Sequence, residues 1–284
     1  MIQKICIIGV GLIGGSFAKG LKNAKQVKTI CGFGRSKAHL TQAKKLGVID
    51  EYSMDIAAAV KNADLVLIST PVDSFGQILE AIKPHIKDST IISDVGSTKG
   101  SVIQIAQSVF GEMPPNFVPA HPIAGREKSG VESSDAALFV NKRVILTPLK
   151  QTDSKAIELV SELWHCVGAS VEIMSHKDHD DLLAMTSHLP HMLAFGLMDY
   201  LINNNPNACD YAAGGFKDFS RIASSDAIMW RDICLNNSDD IIKHINGYKE
   251  TLDRLSKLIK NHDAQALQKL FEESKQARDN WLDD

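Results

Sequence analysis

No apolar stretch in this 284-residue chain is long enough to span a bilayer, so no segment reads as a transmembrane helix. Charge of one sign is not in excess. The 31 Lys and Arg against 34 Asp and Glu leave a net charge of -3, which gives no ground for a nucleic acid or an anionic membrane as partner. The ten histidines move that balance only a little at mildly acid pH. Cys6, Cys31, Cys166, Cys209 and Cys234 are odd in number and scattered, with no C-x-x-C pair. That pattern argues against a disulfide framework and fits free thiols in a reducing cytoplasm. Internal repeats and low-complexity stretches are also missing. The first strand-like run begins at Ile5, which leaves no room for a signal peptide in this reading. What is present is ordinary for a soluble globular protein: 44% apolar and 23% charged residues, in a length that suits two domains.

The most specific local pattern is Gly9-Val10-Gly11-Leu12-Ile13-Gly14, directly after the apolar run Ile5–Ile8. It opens a segment with helical spacing at Leu12, Ile13, Phe17, Ala18 and Leu21. A lone G-x-G-x-x-G means little; strand, glycines, then helix is the context of a dinucleotide site. Gly9 suits the tight turn, Gly11 lets backbone approach a pyrophosphate, and Gly14 lets helix and strand pack closely. The pyrophosphate would sit on the N–H groups that open the helix, at Leu12 and Ile13. The expected cofactor is therefore NAD or NADP.

Further apolar runs follow at Thr29–Phe33, Leu65–Ser69, Thr90–Ser93 and Arg143–Thr147, separated by helix-like stretches such as Lys37–Leu46, Phe75–Ile82 and Ser101–Phe110. This alternation predicts an α/β fold: a Rossmann-type, mostly parallel sheet domain over residues 1–174, with Val171–Met174 as its last strand. An all-helical domain is expected over 175–284. There, His176–Asn204 is long and apolar with Pro190 inside it. Asp239–Asn261 and Ala264–Trp281 carry stripes at three- and four-residue spacing, such as Ile241, Ile245, Tyr248, Leu252 and Leu267, Leu270, Phe271. Core packing is the simplest reading of those stripes. Their width in so small a domain also suggests a homodimer in which a second copy completes the core.

At the end of the second strand an acid would select NAD, and an Arg would accommodate the 2′-phosphate of NADP. The acid is absent. Gly34 stands there, followed by Arg35, Ser36 and Lys37. Two cations and a hydroxyl favour NADP over NAD, although Arg35 could equally stack on adenine.

Ligands of open α/β sheets bind beyond the carboxyl ends of the strands. Ser69-Thr70-Pro71 ends one strand and adds to the cofactor set. Asp94–Lys99 ends another, and Ala120-His121-Pro122-Ile123-Ala124-Gly125 forms a third loop. Neutral imidazole accepts protons near neutral pH, so His121 is a candidate base, with Ser97 to orient it or to bond the same substrate oxygen. Ser187-His188-Leu189-Pro190-His191 places two histidines on one helical face, but a zinc site lacks a third ligand, and no metal is expected. His176 and His179 read as a solvated face. In Gly214–Ala223, Lys217 and Arg221 lie four apart and share a face. An Arg there suits a carboxylate, the plain alternative being a surface pair with Asp218.

Gly9–Gly14, Asp94–Lys99, His121–Gly125 with Glu127-Lys128-Ser129-Gly130, Ser187–His191 and Gly214–Ala223 occur in order along most of the chain. Together they resemble the prephenate and arogenate (cyclohexadienyl) dehydrogenase family, the oxidative route to tyrosine. The resemblance implies a nucleotide-binding domain, then a helical domain that dimerises. It implies His121 as catalytic histidine with Ser97 beside it. It matches His191 and Arg221 to substrate-carboxylate residues, places Lys217 in the same segment, and puts Glu127 near the active-site mouth. Gly34 departs from the family's acid, which opens NADP use. Ser220 stands where Thr is common. No regulatory domain and no fused chorismate mutase segment is expected. A rival reading is a dehydrogenase of the β-hydroxyacid type, which uses a lysine on its long helix; Asp178–Asn204 contains none. Another is a non-catalytic NADP-binding redox sensor, which turnover of prephenate would separate.

Overall fold

The computed structural model describes residues 1–126 and 128–283. Near-continuous β-branched runs form strands buried on both faces, as parallel sheets require. Ile2–Ile8 (β1) leads through Leu12–Asn23 (α1) to Val27–Phe33 (β2), then Lys37–Lys45 (α2), Glu51–Ser53 (β3) and Ile56–Val60 (α3). Leu65–Ile68 (β4), Phe75–Ile82 (α4), Ile91–Asp94 (β5), Gly100–Phe110 (α5) and Phe117–Val118 (β6) complete a six-stranded sheet. Its order is β3-β2-β1-β4-β5-β6, and every pairing in it is parallel. The strand order, not the strand direction, reverses between β1 and β4, so their carboxyl ends open the crevice where such sheets take ligands.

The sheet was expected to continue through Arg143–Thr147 and Val171–Met174; it does not. Pro119 has no N–H to extend the ladder beyond β6. The chain instead enters Ala120–Pro122 (β7), which pairs antiparallel with Arg143–Leu146 (β8). After Ser154–Cys166 (α6), Ser170–Ile173 (β9) adds parallel to β8, giving a separate three-stranded sheet. His121 therefore sits on a strand opposite Ile145 rather than in a loop. One core cluster joins the face of α1 to α6 through Phe17, Phe139 and Trp164, whose rings meet at 4.5 and 5.0 Å.

The helical segment begins with His176–Leu183 (α7) and runs through a π-helical turn, Ala184–His188, into Leu189–Asn204 (α8). Pro190 cannot donate to the carbonyl four residues back, and the widened turn absorbs the missing bond. Gly214–Ser220 (α9) and Ala227–Asn236 (α10) follow. By contact density Met1–Ser238 forms one compact unit and Asp239–Asp284 another. The second holds Ala264–Asp283 (α12) and all but the first residue of Ser238–Lys260 (α11). Core packing within one chain is the wrong reading of their stripes. Ile242, Leu252, Ile259, Phe271 and Trp281 are exposed, and α11 buries Ile241 alone among its described residues. No helix among the described residues is long and apolar enough to cross a membrane.

Candidate functional site

Gly9 and Gly14 act as the spacing suggests. Gly9 has φ of +91°, and a Cβ on it would lie 2.5 Å from the Ser69 carbonyl oxygen. A Cβ on Gly14 would meet the Gly9 carbonyl at 2.8 Å, whereas one on Gly11 would meet no protein atom within 4 Å. No packing explains the glycine at 11, where the backbone is left open to the approach of a ligand. Helix α1 starts at Leu12 with no side-chain cap and no acid in its first turn. The N–H groups of its opening turn and the positive end of its dipole thus remain for an anion. Ser69, Thr70 and Pro71 border the same crevice beyond β4; the Ser69 N–H donates to Ile8 at 2.8 Å. These residues fit a dinucleotide.

Beyond β2, Arg35, Ser36 and Lys37 are exposed. Ser36 caps α2, accepting the His39 N–H at 3.3 Å. A Cβ on Gly34 would touch nothing nearer than Leu40 at 3.7 Å, so sterics do not require glycine there.

His121 is half-buried and bonded, but not by Ser97. Its Nδ1 lies 2.8 Å from Nε2 of His179, and Nδ1 of His179 lies 2.8 Å from Oδ1 of Asp180. The solvated-face reading of His179 is corrected: it is fully buried, carried in by the i, i+4 face it shares with Leu183. Asp180 also accepts the backbone N–H groups of Lys99 at 2.8 Å and Gly100 at 2.7 Å, capping α5 from a segment 80 residues away. The network assigns the tautomers. Asp180, a carboxylate, can only accept, so His179 carries its proton on Nδ1 and offers Nε2 as acceptor. His121 then donates from Nδ1 and keeps the lone pair on Nε2. Ser97 is half-buried, and no hydrogen bond joins it to His121 among the described residues.

Electrostatics suit a base. Burial, then the neighbouring His179, Lys99 and His188, hold His121 well below the usual 6.5, so it is neutral near pH 7. Burial also lowers His179, against the opposing pull of Asp180. Burial would raise Asp180, but hydrogen bonds from His179, Lys99 and Gly100 outweigh it and keep the carboxylate low. Beneath lies a fully buried ion pair of Lys99 and Asp94. Lys99 Nζ also donates to the Ala120 carbonyl at 2.7 Å, and Asp94 Oδ1 accepts the Ala120 N–H at 3.1 Å. The residue before His121 is thereby pinned on both backbone groups.

The network continues into the helices. The buried Asn237 amide donates to the Asp180 carbonyl at 2.9 Å and lies 3.3 Å from Nδ1 of His188. His188 is pushed down to about 4, first by burial. Its ring meets Trp230 edge-on at 5.9 Å, and His191 stacks on the same indole at 3.7 Å. His188 and His191 thus flank an aromatic ring, an arrangement H-x-x-H spacing alone does not reveal. His191 is lowered by burial, with Arg221 acting in the same direction. Lys217 on α9 and Arg221, which opens the 3-10 turn directly after it, are both exposed and line an open cavity of about 380 Å³ with Phe195, Met198 and Ser220. Glu127 lies outside the described residues. His179, Asp180, Lys99, Asn237 and Trp230 are the members that motif reading missed.

Two family models match in succession: the prephenate dehydrogenase nucleotide-binding domain over residues 17–173, and the prephenate dehydrogenase dimerization domain over residues 175–273. The chain is 36% identical to the cyclohexadienyl dehydrogenase of Zymomonas mobilis, across 98% of this chain and 96% of that one. It is 38% identical to the prephenate dehydrogenase of Bacillus subtilis, across 98% of this chain and 76% of the relative. Among solved structures, prephenate dehydrogenase from Aquifex aeolicus in complex with hydroxyphenyl propionate and NAD+ superposes with a TM-score of 0.92. That pair shares 39% identity and covers 98% of each chain.

Proposed function

The chain belongs to the prephenate dehydrogenase family, and we propose that His121 is the general base in its oxidative decarboxylation of prephenate to 4-hydroxyphenylpyruvate. The observation that carries this is the chain His121–His179–Asp180, which leaves a lone pair on Nε2 of a neutral imidazole. Bound NAD(P) supplies the acceptor for the hydride leaving the ring carbon that bears the hydroxyl. His121 takes the hydroxyl proton as that carbon becomes carbonyl-like, and the growing charge on its ring is met through His179 by Asp180. The ring carboxylate departs as carbon dioxide, driven by aromatisation, so the protein need only orient and polarise. Ser97 supplies a second hydrogen bond to the reacting oxygen. Arg221, with Lys217 and His191, holds the carboxylates at the far end of the substrate, and Glu127 stands at the mouth. The same geometry would convert arogenate to tyrosine.

Gly9, Gly11, Leu12, Ile13 and Gly14 would hold the pyrophosphate, with Ser69, Thr70 and Pro71 alongside. Arg35, Ser36 and Lys37 would take a 2′-phosphate, so we assign NADP as accepted and favoured over NAD. The domain boundary is drawn at 174/175. We assign a cytoplasmic homodimer; the exposed stripes of α11 and α12 support the pairing. The test is turnover of prephenate and arogenate, each with NAD and NADP, read as absorbance of the reduced cofactor. Absence of turnover in every combination overturns the reading.

A further inference from the structure

Beyond the base and the carboxylate residues, a polar bridge spans the cleft between the cofactor loop and the wall that carries Trp230. Asp73 lies in the one-turn helix Val72–Ser74, directly after Ser69-Thr70-Pro71. Nδ2 of Asn236, the last residue of α10, donates to Oδ1 of Asp73 at 3.0 Å. Nη2 of Arg231, on the same helix, lies 3.8 Å from Oδ2.

Both ends of the bridge are prepared. Asn236 also donates to the Asp232 carbonyl at 2.8 Å. Arg231 is gripped by the buried Asp232 carboxylate, from Nε at 2.7 Å and Nη2 at 2.5 Å. On the other side, the Ser74 hydroxyl donates to Thr70 Oγ1 at 2.8 Å, and the Ser74 N–H closes the turn on the Pro71 carbonyl at 3.0 Å. The ordering entropy that makes most exposed ion pairs worthless is already met by these contacts. Trp230, adjacent to Arg231, stacks on His191. A continuous contact path therefore runs from Thr70 through Asp73 and α10 to the substrate-carboxylate residue.

We propose that Asp73 is a positioning residue that couples occupancy of the cofactor loop to the seating of Trp230 and His191 around substrate. Cofactor fixes the loop, the loop fixes Asp73, and Asp73 fixes the helix, so cofactor and substrate tighten each other's binding. This rests on the dehydrogenase reading of the cleft. Coupling between two sites is reciprocal and typically amounts to about 5- to 150-fold. Both members of the ion pair are more than half exposed, so the bridge carries part of that factor only.

The test is titration calorimetry of hydroxyphenylpropionate binding to the full chain, without NAD and with saturating NAD. In the wild type NAD should tighten binding several-fold. Asp73→Ala should cut that ratio by about threefold or more, within the usual range of coupling effects. Asn236→Ala leaves the cofactor turn untouched and should do the same; the double variant should lose no more than either single one. A variant that is merely less stable changes its melting temperature, not the ratio. A ratio unchanged in Asp73→Ala and Asn236→Ala, or a wild-type ratio of one with normal prephenate turnover, overturns the coupling and leaves the base assignment standing. A wild type that neither binds the probe nor oxidises prephenate sinks both.

Discussion

Replacing His179 with Leu tests the reasoning at its most exposed point. His179 is fully buried and makes two side-chain hydrogen bonds, both at 2.8 Å, one to His121 and one to Asp180. Leucine fills similar space without an acceptor. Two losses follow. Nδ1 of His121 loses the partner that sets its tautomer, and part of the population moves its proton to Nε2, where it cannot act as a base. The imidazolium that forms during proton transfer also loses its path to the Asp180 carboxylate. A hydrogen bond to a charged group is worth about 1.5–3 kcal/mol, which corresponds to roughly 10- to 150-fold in kcat/KM. His179→Gln offers an amide oxygen to His121, restores the tautomer without the relay, and should fall between wild type and Leu. The assay is the pH profile of kcat/KM with prephenate, with melting temperature measured alongside. In the wild type the acidic limb should lie below pH 6.5, because burial depresses His121 and keeps it neutral to lower pH. A folded Leu variant within twofold of wild type across the profile would refute the relay.

His121→Asn should keep cofactor binding and lose about 10²- to 10⁴-fold in turnover; near-normal turnover would remove His121 as the base. Arg221→Ala should mainly raise KM for prephenate, by tenfold or so, since one charged hydrogen bond contributes about 1.5–3 kcal/mol; an unchanged KM would mean that the exposed Arg221 makes no contact with substrate. Gly34→Asp should shift kcat/KM toward NAD, and Arg35→Ala should weaken NADP far more than NAD; equal losses for both cofactors would mean Arg35 only stacks on adenine. Burial pushes His188 down to about 4 from the usual 6.5, so the unfolded chain takes up the proton first. Stability should then fall as pH drops from 6.5 toward 4, by about 3 kcal/mol from this residue, and chemical denaturation of His188→Phe should show a flatter acid limb.

The parallel sheet was legible because buried β-branched runs such as Leu65–Ile68 leave little choice of structure, and because glycine is demanded at 9 by its positive φ and the Ser69 carbonyl and at 14 by the carbonyl of Gly9. Arg143–Leu146 and Ser170–Ile173 were legible as strands but not as a separate sheet. What divides them from the first is one missing N–H at Pro119, which periodicity does not register. His179 was hidden by its neighbours. Lys177, Asp178, Asp180 and Asp181 make the segment look solvated, while the i, i+4 spacing of His179 with Leu183, and of Asp180 with Ala184, was the available signal that two polar residues face inward. The stripes of α11 and α12 were visible in full, yet a stripe states only that a face seeks cover, not that the same chain provides it.

The polar residues that matter most here are those joining segments far apart in sequence. Asp180 caps α5 while fixing His179, so the helix that follows β5 and His121 on β7 are tied to the start of the helical segment by one carboxylate. Losing that carboxylate would leave the backbone N–H groups of Lys99 and Gly100 and the Nδ1–H of buried His179 without an acceptor, each costing about 1–3 kcal/mol. Such a residue cannot be exchanged for its function alone without also loosening the fold. The Asp73 bridge is different: it lies at the surface, and its removal strands no buried donor. Stability and catalysis are therefore inseparable at Asp180 and separable at Asp73. If the cleft is organised as inferred, substitutions at the first should lower melting temperature and turnover together. Substitutions at the second should alter the communication between cofactor and substrate while the melting temperature stays nearly fixed.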